Sequence, residues 1–191
     1  SPVGVETYQA YAYPARYFDA LFEADWSRGR LLYTALTPDG STYTGRDDLA
    51  EFVHGEPMPI TDLEVGPDGN IYFTTGGTNG TGGLFKIVWN GDRPAQPDMT
   101  GILAVVRQPQ PLASWSWAAI EAVKTRMGAA AFGSALDALA RDTSAAPADR
   151  MRAILELQRH VPAPSTALLR ALAADSRAEV RAAVVYVAGV Q

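Results

Sequence analysis

The chain has 191 residues, 47% of them hydrophobic and 19% charged, which suits one globular domain or two small ones with a substantial core. A net charge of -5 argues against a general nucleic-acid binder, and the absence of cysteine excludes disulfides, thiolate metal sites, cysteine nucleophiles and c-type haem attachment. Residues 1–100 carry a charge balance of -8 and residues 101–191 one of +3, so two differently built halves are expected.

Residues 1–90 read as β. Turn signals recur at Pro38-Asp39-Gly40, Pro67-Asp68-Gly69 and Asn90-Gly91. Between them lie short runs rich in β-branched and aromatic residues: Ala20–Trp26, Arg30–Leu36, Asn70–Thr75 and Leu84–Trp89. The stretches "ALFEADWSRGRLLYTAL" (20–36) and "NIYFTTGGTNGTGGLFKIVW" (70–89) resemble each other as strand, glycine-containing turn, strand, about 50 residues apart. A period near that length suits propeller blades, and a β-sandwich shows similar spacing. Residues 91–112 read as a linker: "GDRPAQPDMTG" and "RQPQPL" break regular structure on either side of the apolar run Ile102–Val106, expected as one more strand.

Residues 113–191 read as helices. Ser114 is expected to cap a helix running to about Met127 and ended by Gly128, and "AAFGSALDALARD" forms a second. Pro147 sits near the start of a third that reaches His160, and Pro164 near the start of a fourth with Leu168, Leu169 and Leu172 on one face. The fifth places Val180, Ala183, Val184 and Val187 on one stripe and is expected to stop at Gly189. Met151-Arg152-Ala153-Ile154-Leu155 matches Val180-Arg181-Ala182-Ala183-Val184 at an offset of 29, the length of one helix pair of an α-solenoid. "LLRALAADSRAEVRAAVVYVAG" resembles a HEAT repeat, with Asp175 in its turn. The expected fold is therefore α+β: a partial β-propeller-like domain of about two blades over 1–106, then a HEAT-type α-solenoid over 107–191. The solenoid's open end is expected to expose apolar surface for a partner.

The Ser1-Pro2-x-Gly4 opening, Tyr8, Pro14, "ALFEADWSRGRLL" and "DLEVGPDGNIYFTTGG" together resemble the last blades of the glucose/sorbosone dehydrogenase family, and more closely its propeller–HEAT members labelled membrane-bound dehydrogenases. The resemblance covers about residues 1–90, and helical repeats follow in the same order. It implies a six-bladed propeller holding pyrroloquinoline quinone and calcium, expected only for a complete family member. In the sugar dehydrogenases an Arg-x-Arg-Asp-Val segment before the Gly-Pro-Asp-Gly turn contacts the cofactor, its guanidinium forks matching the quinone's carboxylates. Here that segment reads Pro59-Ile60-Thr61-Asp62-Leu63: the aspartate is present and both arginines are missing. The family's catalytic base and calcium ligands lie in earlier blades. As it stands, the chain is expected to be no enzyme and to hold no cofactor, with Asp62 the one candidate cofactor contact.

Other candidates have plain readings. Glu64 and Asp68 read as a strand-end charge and an Asx turn beside Gly69. His54 and His160, the only histidines, have no metal-ligand spacing and are expected to face solvent or lie near helix caps. The glycine-rich "TTGGTNGTGG" (74–83) lacks the Lys-Ser/Thr ending and the following helix of a phosphate loop, and reads as a hairpin; Asn79-Gly80-Thr81 matches a glycosylation pattern. Trp26, Trp89, Trp115 and Trp117 are expected to pack between the β and α parts. Of the arginines that line the helical half, Arg150 among them, the residues Arg152, Arg159, Arg170, Arg177 and Arg181 are the candidate contacts to a protein partner.

The function this suggests is a non-catalytic accessory or scaffold subunit of a larger protein complex. The resemblance alone places it in the periplasm or otherwise outside the cytoplasm, beside a membrane. The chain itself shows neither a membrane-spanning run nor a signal peptide, and Ser1-Pro2-Val3-Gly4 reads as a mature end or the interior of something longer. The alternatives are a C-terminal fragment of a quinone-dependent sugar or alcohol dehydrogenase-like enzyme, inactive alone, and a free-standing peptide-binding solenoid.

Overall fold

The computed structural model of the protein describes residues 2–39, 42–45, 49–77, 80–92, 94–161 and 164–190. The chain divides into two compact units, Ser1–Gln96 and Pro97–Gln191. The architecture is α+β, with three small antiparallel sheets in the first unit and, among the described residues, six α-helices in the second. Among those residues the sheets close into neither a barrel nor a propeller, and six helices round one core do not display the repeat geometry of a solenoid.

The strands of the first unit are β1 (Pro2–Tyr8), β2 (Ala20–Asp25), β3 (Arg30–Thr34), β4 (Leu36–Asp39), β5 (Thr42–Gly45), β6 (Ala50–His54), β7 (Ile60–Val65), β8 (Ile71–Gly77) and β9 (Gly80–Lys86). They form a four-stranded sheet in the order β1-β2-β3-β6, a β4-β5 ribbon and a three-stranded sheet β7-β8-β9. The two similar stretches of sequence become the β2-β3 and β8-β9 hairpins. The glycine-rich run is thus a hairpin; its tip at residues 78 and 79, with the Asn79 glycosylation pattern, lies outside the described residues, as does Gly40 of the first turn signal.

Alternation sets the inward face of β2, where Ala20, Phe22 and Ala24 are buried. In β7 the alternation is broken. A register shift between Ile60 and Asp62 buries Leu63 and Val65 and turns Asp62 and Glu64 outward. The core is aromatic: Tyr17, Phe22, Tyr33 and Phe52 meet edge to face or tilted, except for the stacked Phe22–Tyr33 pair, at centroid distances of 4.9–6.2 Å.

Two buried tyrosine hydroxyls tie this core together. The Tyr8 hydroxyl donates to the Gly69 carbonyl (2.9 Å) and accepts the N–H groups of Ala12 and Tyr13 (3.0 Å each). The Tyr13 hydroxyl donates to the Ile87 carbonyl (2.9 Å) and accepts from the Ile71 N–H (2.7 Å), and the two rings stack at 4.7 Å. Gly69 has φ +77°, a left-handed conformation that keeps its carbonyl in reach of Tyr8 and suits a residue without Cβ.

The helices of the second unit are α1 (Leu103–Val106), α2 (Ser114–Met127), α3 (Ala129–Arg141), α4 (Pro147–His160), α5 (Thr166–Leu172) and α6 (Ala178–Val190). Helix α4 packs against α1, α3 and α6. The core includes Ile120, Phe132, Leu136, Ile154, Leu157, Leu168, Val180 and Val187.

Three local expectations are corrected. The run expected as a strand at Ile102–Val106 is instead the short helix Leu103–Val106, with Ile102 as its N-cap. Ser114 is the first helical residue and makes no cap bond; at α5, by contrast, Ser165 caps, its hydroxyl accepting from the Leu168 N–H (3.1 Å). Helix α6 continues through Gly189, which keeps a helical backbone, whereas Gly128 adopts φ +81° and ends α2.

Replacing Tyr8 with Phe leaves one carbonyl and two N–H groups without their partner. A loss of about 1–3 kcal/mol for each group left unpaired is expected, read as a lower urea midpoint for the first unit. Burial, the largest cause, pushes the Tyr8 phenol from 10.0 up to about 12. A raised value in the folded state favours the neutral phenol there. Its contribution to stability is therefore complete below pH 10 and is lost as pH rises through about 12, and alkaline titration of phenolate absorbance should coincide with unfolding in that window.

Candidate functional site

The Pro59–Leu63 segment, in which Asp62 is the candidate cofactor contact, is engaged in local structure. The Pro59 carbonyl accepts from the Gly76 N–H (3.0 Å), and the Thr61 hydroxyl is paired across the sheet with that of Thr74 (2.8 Å). Asp62 is exposed, and its Oδ1 accepts the N–H of Leu63 (2.9 Å) at the β7 irregularity. Asp68 closes the turn as an Asx residue, accepting from the Asn70 N–H (3.1 Å), the Tyr72 hydroxyl (2.9 Å) and Lys86 Nζ (3.3 Å). Burial opposes its ionisation, but these hydrogen bonds prevail and hold the carboxyl below its ordinary range. Among the described residues, no group of three or more His, Asp or Glu side chains is placed to hold a metal ion.

The two histidines part company. The His54 side chain is half exposed beside Glu56. His160, the last residue of α4, is buried, which corrects the solvent-facing half of its expectation. Its Nδ1 lies 2.6 Å from Glu121 Oε1 on α2, and its ring is 4.0 Å from that of Trp117. Its Nε2 faces Glu156 Oε2 at 3.4 Å. The Glu156 side chain is fully buried, with Arg159 at 3.1 Å and Arg152 at 3.4 Å. The two glutamates sit on opposite ring nitrogens, so they cannot converge on one ion. A carboxylate that orients an imidazole is half of a catalytic triad, but the other nitrogen here faces the buried Glu156 carboxylate. The His160–Glu121 contact joins α4 to α2.

The five candidate arginines do not form one patch. Arg152 and Arg159 turn inward to Glu156. Arg177 and Arg181 stand at the α5–α6 turn, where the Arg177 N–H donates to Asp175 Oδ1 (2.9 Å) and Arg181 to the Asp175 carbonyl (2.7 Å). Arg170 is exposed on α5. Arg150 is the structural member of the series: buried, it forks onto Asp175 and donates through Nε to the Ala140 carbonyl (3.0 Å). Trp26 donates to the Gly76 carbonyl (3.0 Å), and the Trp117 ring lies against His160.

The surface that stands open is on α6. Its inner stripe, Val180, Ala183, Val184 and Val187, is buried. Its outer side carries Ala182, Val185, Tyr186, Gly189 and Val190, all exposed, with Val185 72% and Tyr186 56% accessible. Helical spacing alone foretells the inner stripe. The second apolar stripe was legible in the same residues once both sides of the helix were read. No helix among the described residues is long and apolar enough to cross a membrane.

Comparison of the chain with protein-family models, with curated proteins and with solved structures gives no match.

Removing one partner of the buried Arg150–Asp175 pair strands the other charge, so Asp175→Asn should cost the second unit about 3–5 kcal/mol by chemical denaturation. The hydrogen bond from His160, the largest cause, holds the Glu121 carboxyl below the usual glutamate range. A depressed value contributes stability above the unfolded value, near 4.5, that is lost as pH falls through the folded one. Glu121→Gln should therefore flatten the acid limb of the stability–pH curve below about pH 4.5.

Proposed function

We propose that the protein is a non-catalytic scaffold, an accessory subunit whose second unit docks a helix of a protein partner on the outer side of α6. The single observation that carries this reading is the bare apolar stripe of α6, read against its own repeat. At the 29-residue offset, Ala182, Val185, Tyr186 and Gly189 correspond to Ala153, Glu156, Leu157 and His160 of α4, and those four are buried. In α4 these positions are covered; in α6 they are open. An amphipathic helix stacked on α6 would cover them, extending the packing as a HEAT-type solenoid does. In the same reading the four- and three-stranded sheets of the first unit derive from two propeller blades. The resemblance to the propeller–HEAT dehydrogenases supports that origin and an extracytoplasmic place at a membrane-associated complex. The engaged Pro59–Leu63 segment supports a blade without cofactor chemistry.

The test is the native mass of the protein after gentle extraction from its source cells, for the wild type and for Tyr186→Glu. Tyr186 is exposed, so the variant should keep the helical circular dichroism of the wild type. A defined complex with the wild type, lost in the variant, is the expected result. A lone monomer in both overturns the scaffold reading. Tight binding of pyrroloquinoline quinone with calcium by this chain would favour the dehydrogenase-fragment alternative instead.

A further inference from the structure

The first unit carries a separate feature, independent of α6. A cleft of about 480 Å3 opens between the loop at residues 10–18 and residues Trp89, Asp92, Pro94 and Ala95, within the roughly 300–1,000 Å3 of ligand-sized sites. Tyr11 and Phe18, stacked at 5.4 Å, line it together with Trp89, Pro14 and Pro94. Rigid aromatic and proline surfaces lose little conformational entropy when they are covered.

Two charged groups stand in the lining. The Arg16 guanidinium lies 4.6 Å from the centre of the Tyr17 ring and 5.5 Å from that of Trp89, and donates to the Tyr17 hydroxyl (3.1 Å). It is therefore held in place, yet among the described residues it pairs with no carboxylate. Four of its five N–H donors have no protein acceptor there. Asp92 is exposed; its backbone carbonyl fixes the Trp89 indole N–H (3.0 Å), while its carboxylate makes no ion pair among the described residues. One wall of the cleft is itself a proline-containing segment of irregular backbone. Residues Pro94–Gln96 are pinned by the Gln96 side-chain amide, which donates to the carbonyls of Tyr11 (2.9 Å) and Pro94 (3.1 Å).

We infer that this cleft docks a proline-rich, extended segment of another protein, with a basic residue of that segment at the Asp92 end. A polyproline II strand has no internal hydrogen bonds and presents its carbonyls outward, so it needs apolar walls for its rings and donors for its carbonyls. Tyr11, Phe18 and Trp89 supply the walls, and Arg16 supplies the donors. Asp92 is the complement of a basic flank and sets the direction of the strand; an exposed pair adds little affinity but fixes orientation.

The experiment is fluorescence anisotropy of a fluorescein-labelled proline-rich decapeptide with one arginine at its N-terminal end, titrated with the full chain. Saturable binding is expected. The same peptide with every proline replaced by alanine should show none, and replacing its arginine with glutamate should weaken binding severalfold at low salt, a difference that shrinks at 1 M salt. Phe18→Ser, at a side chain already 40% exposed, should weaken binding about tenfold. If that variant loses its near-ultraviolet circular dichroism, Arg16→Gln at the surface takes its place, with a loss of about fivefold expected. Absence of saturable binding, equal binding of the alanine peptide, or undiminished binding by the folded variant overturns the proposal.

Discussion

Four ionisable side chains of α4 are out of water, and the second unit is organised around giving each of them a partner. Asp149 is gripped by Arg107 next to α1, with contacts of 2.7–3.2 Å. Arg150 spans the end of α3 and the α5–α6 turn through the Ala140 carbonyl and Asp175. Glu156 is met by Arg152 and Arg159 from its own helix, and His160 by Glu121 on α2. An unpaired buried charge costs several kcal/mol, so the pairings of Asp149, Arg150 and His160, which reach beyond α4, constrain where its neighbours must lie. Apolar packing alone would tolerate more sliding of one helix over another, because the hydrophobic effect is non-directional.

The first unit meets the same demand with neutral groups. Its sheets are small, and the connections between them would leave backbone groups buried without partners. The hydroxyls of Tyr8 and Tyr13 satisfy five such groups in all, from Ala12, Tyr13, Gly69, Ile71 and Ile87. Segments far apart in the chain are thus joined at two points inside an aromatic core, where a lost hydrogen bond is expensive.

These networks bear on function; in the second unit Glu156 Oε2 and His160 Nε2 face each other at 3.4 Å, buried, and neither atom makes a hydrogen bond among the described residues. Of the residues with the most chemical potential, His160, Arg150 and Arg152 tie α4 to its neighbours, and Glu156 is paired within α4. Asp62 and Asp68 finish a strand irregularity and a turn. What remains open is apolar and aromatic: the outer side of α6 and the cleft of the first unit. Surfaces of that kind suit recognition of other chains.

Much of this was legible in the sequence for a local reason. The 3.6-residue stripe of Val180, Ala183, Val184 and Val187, the proline at the start of α4, the Asp68-Gly69 turn and the paired hairpins each depend on residues a few positions apart. Local signals also misled in places. Ile102–Val106 is apolar and β-branched, yet it is a helix whose Val105 and Val106 belong to the core shared with α4. Gly189 was expected to end a helix, but it keeps a helical backbone, whereas Gly128, at φ +81°, ends α2. The candidate sites were legible as residue types and not as roles. Whether Arg152 faces a partner or Glu156, and whether His160 meets water or Glu121, depends on contacts across 39 positions in the case of His160. The sequence by itself determined most element types, the two-part division of character and the inner stripe of the last helix. Only the tertiary structure decided which charges are spent on one another and which surfaces stay bare, because that is settled by long-range pairing and by which side of each element finds a neighbour.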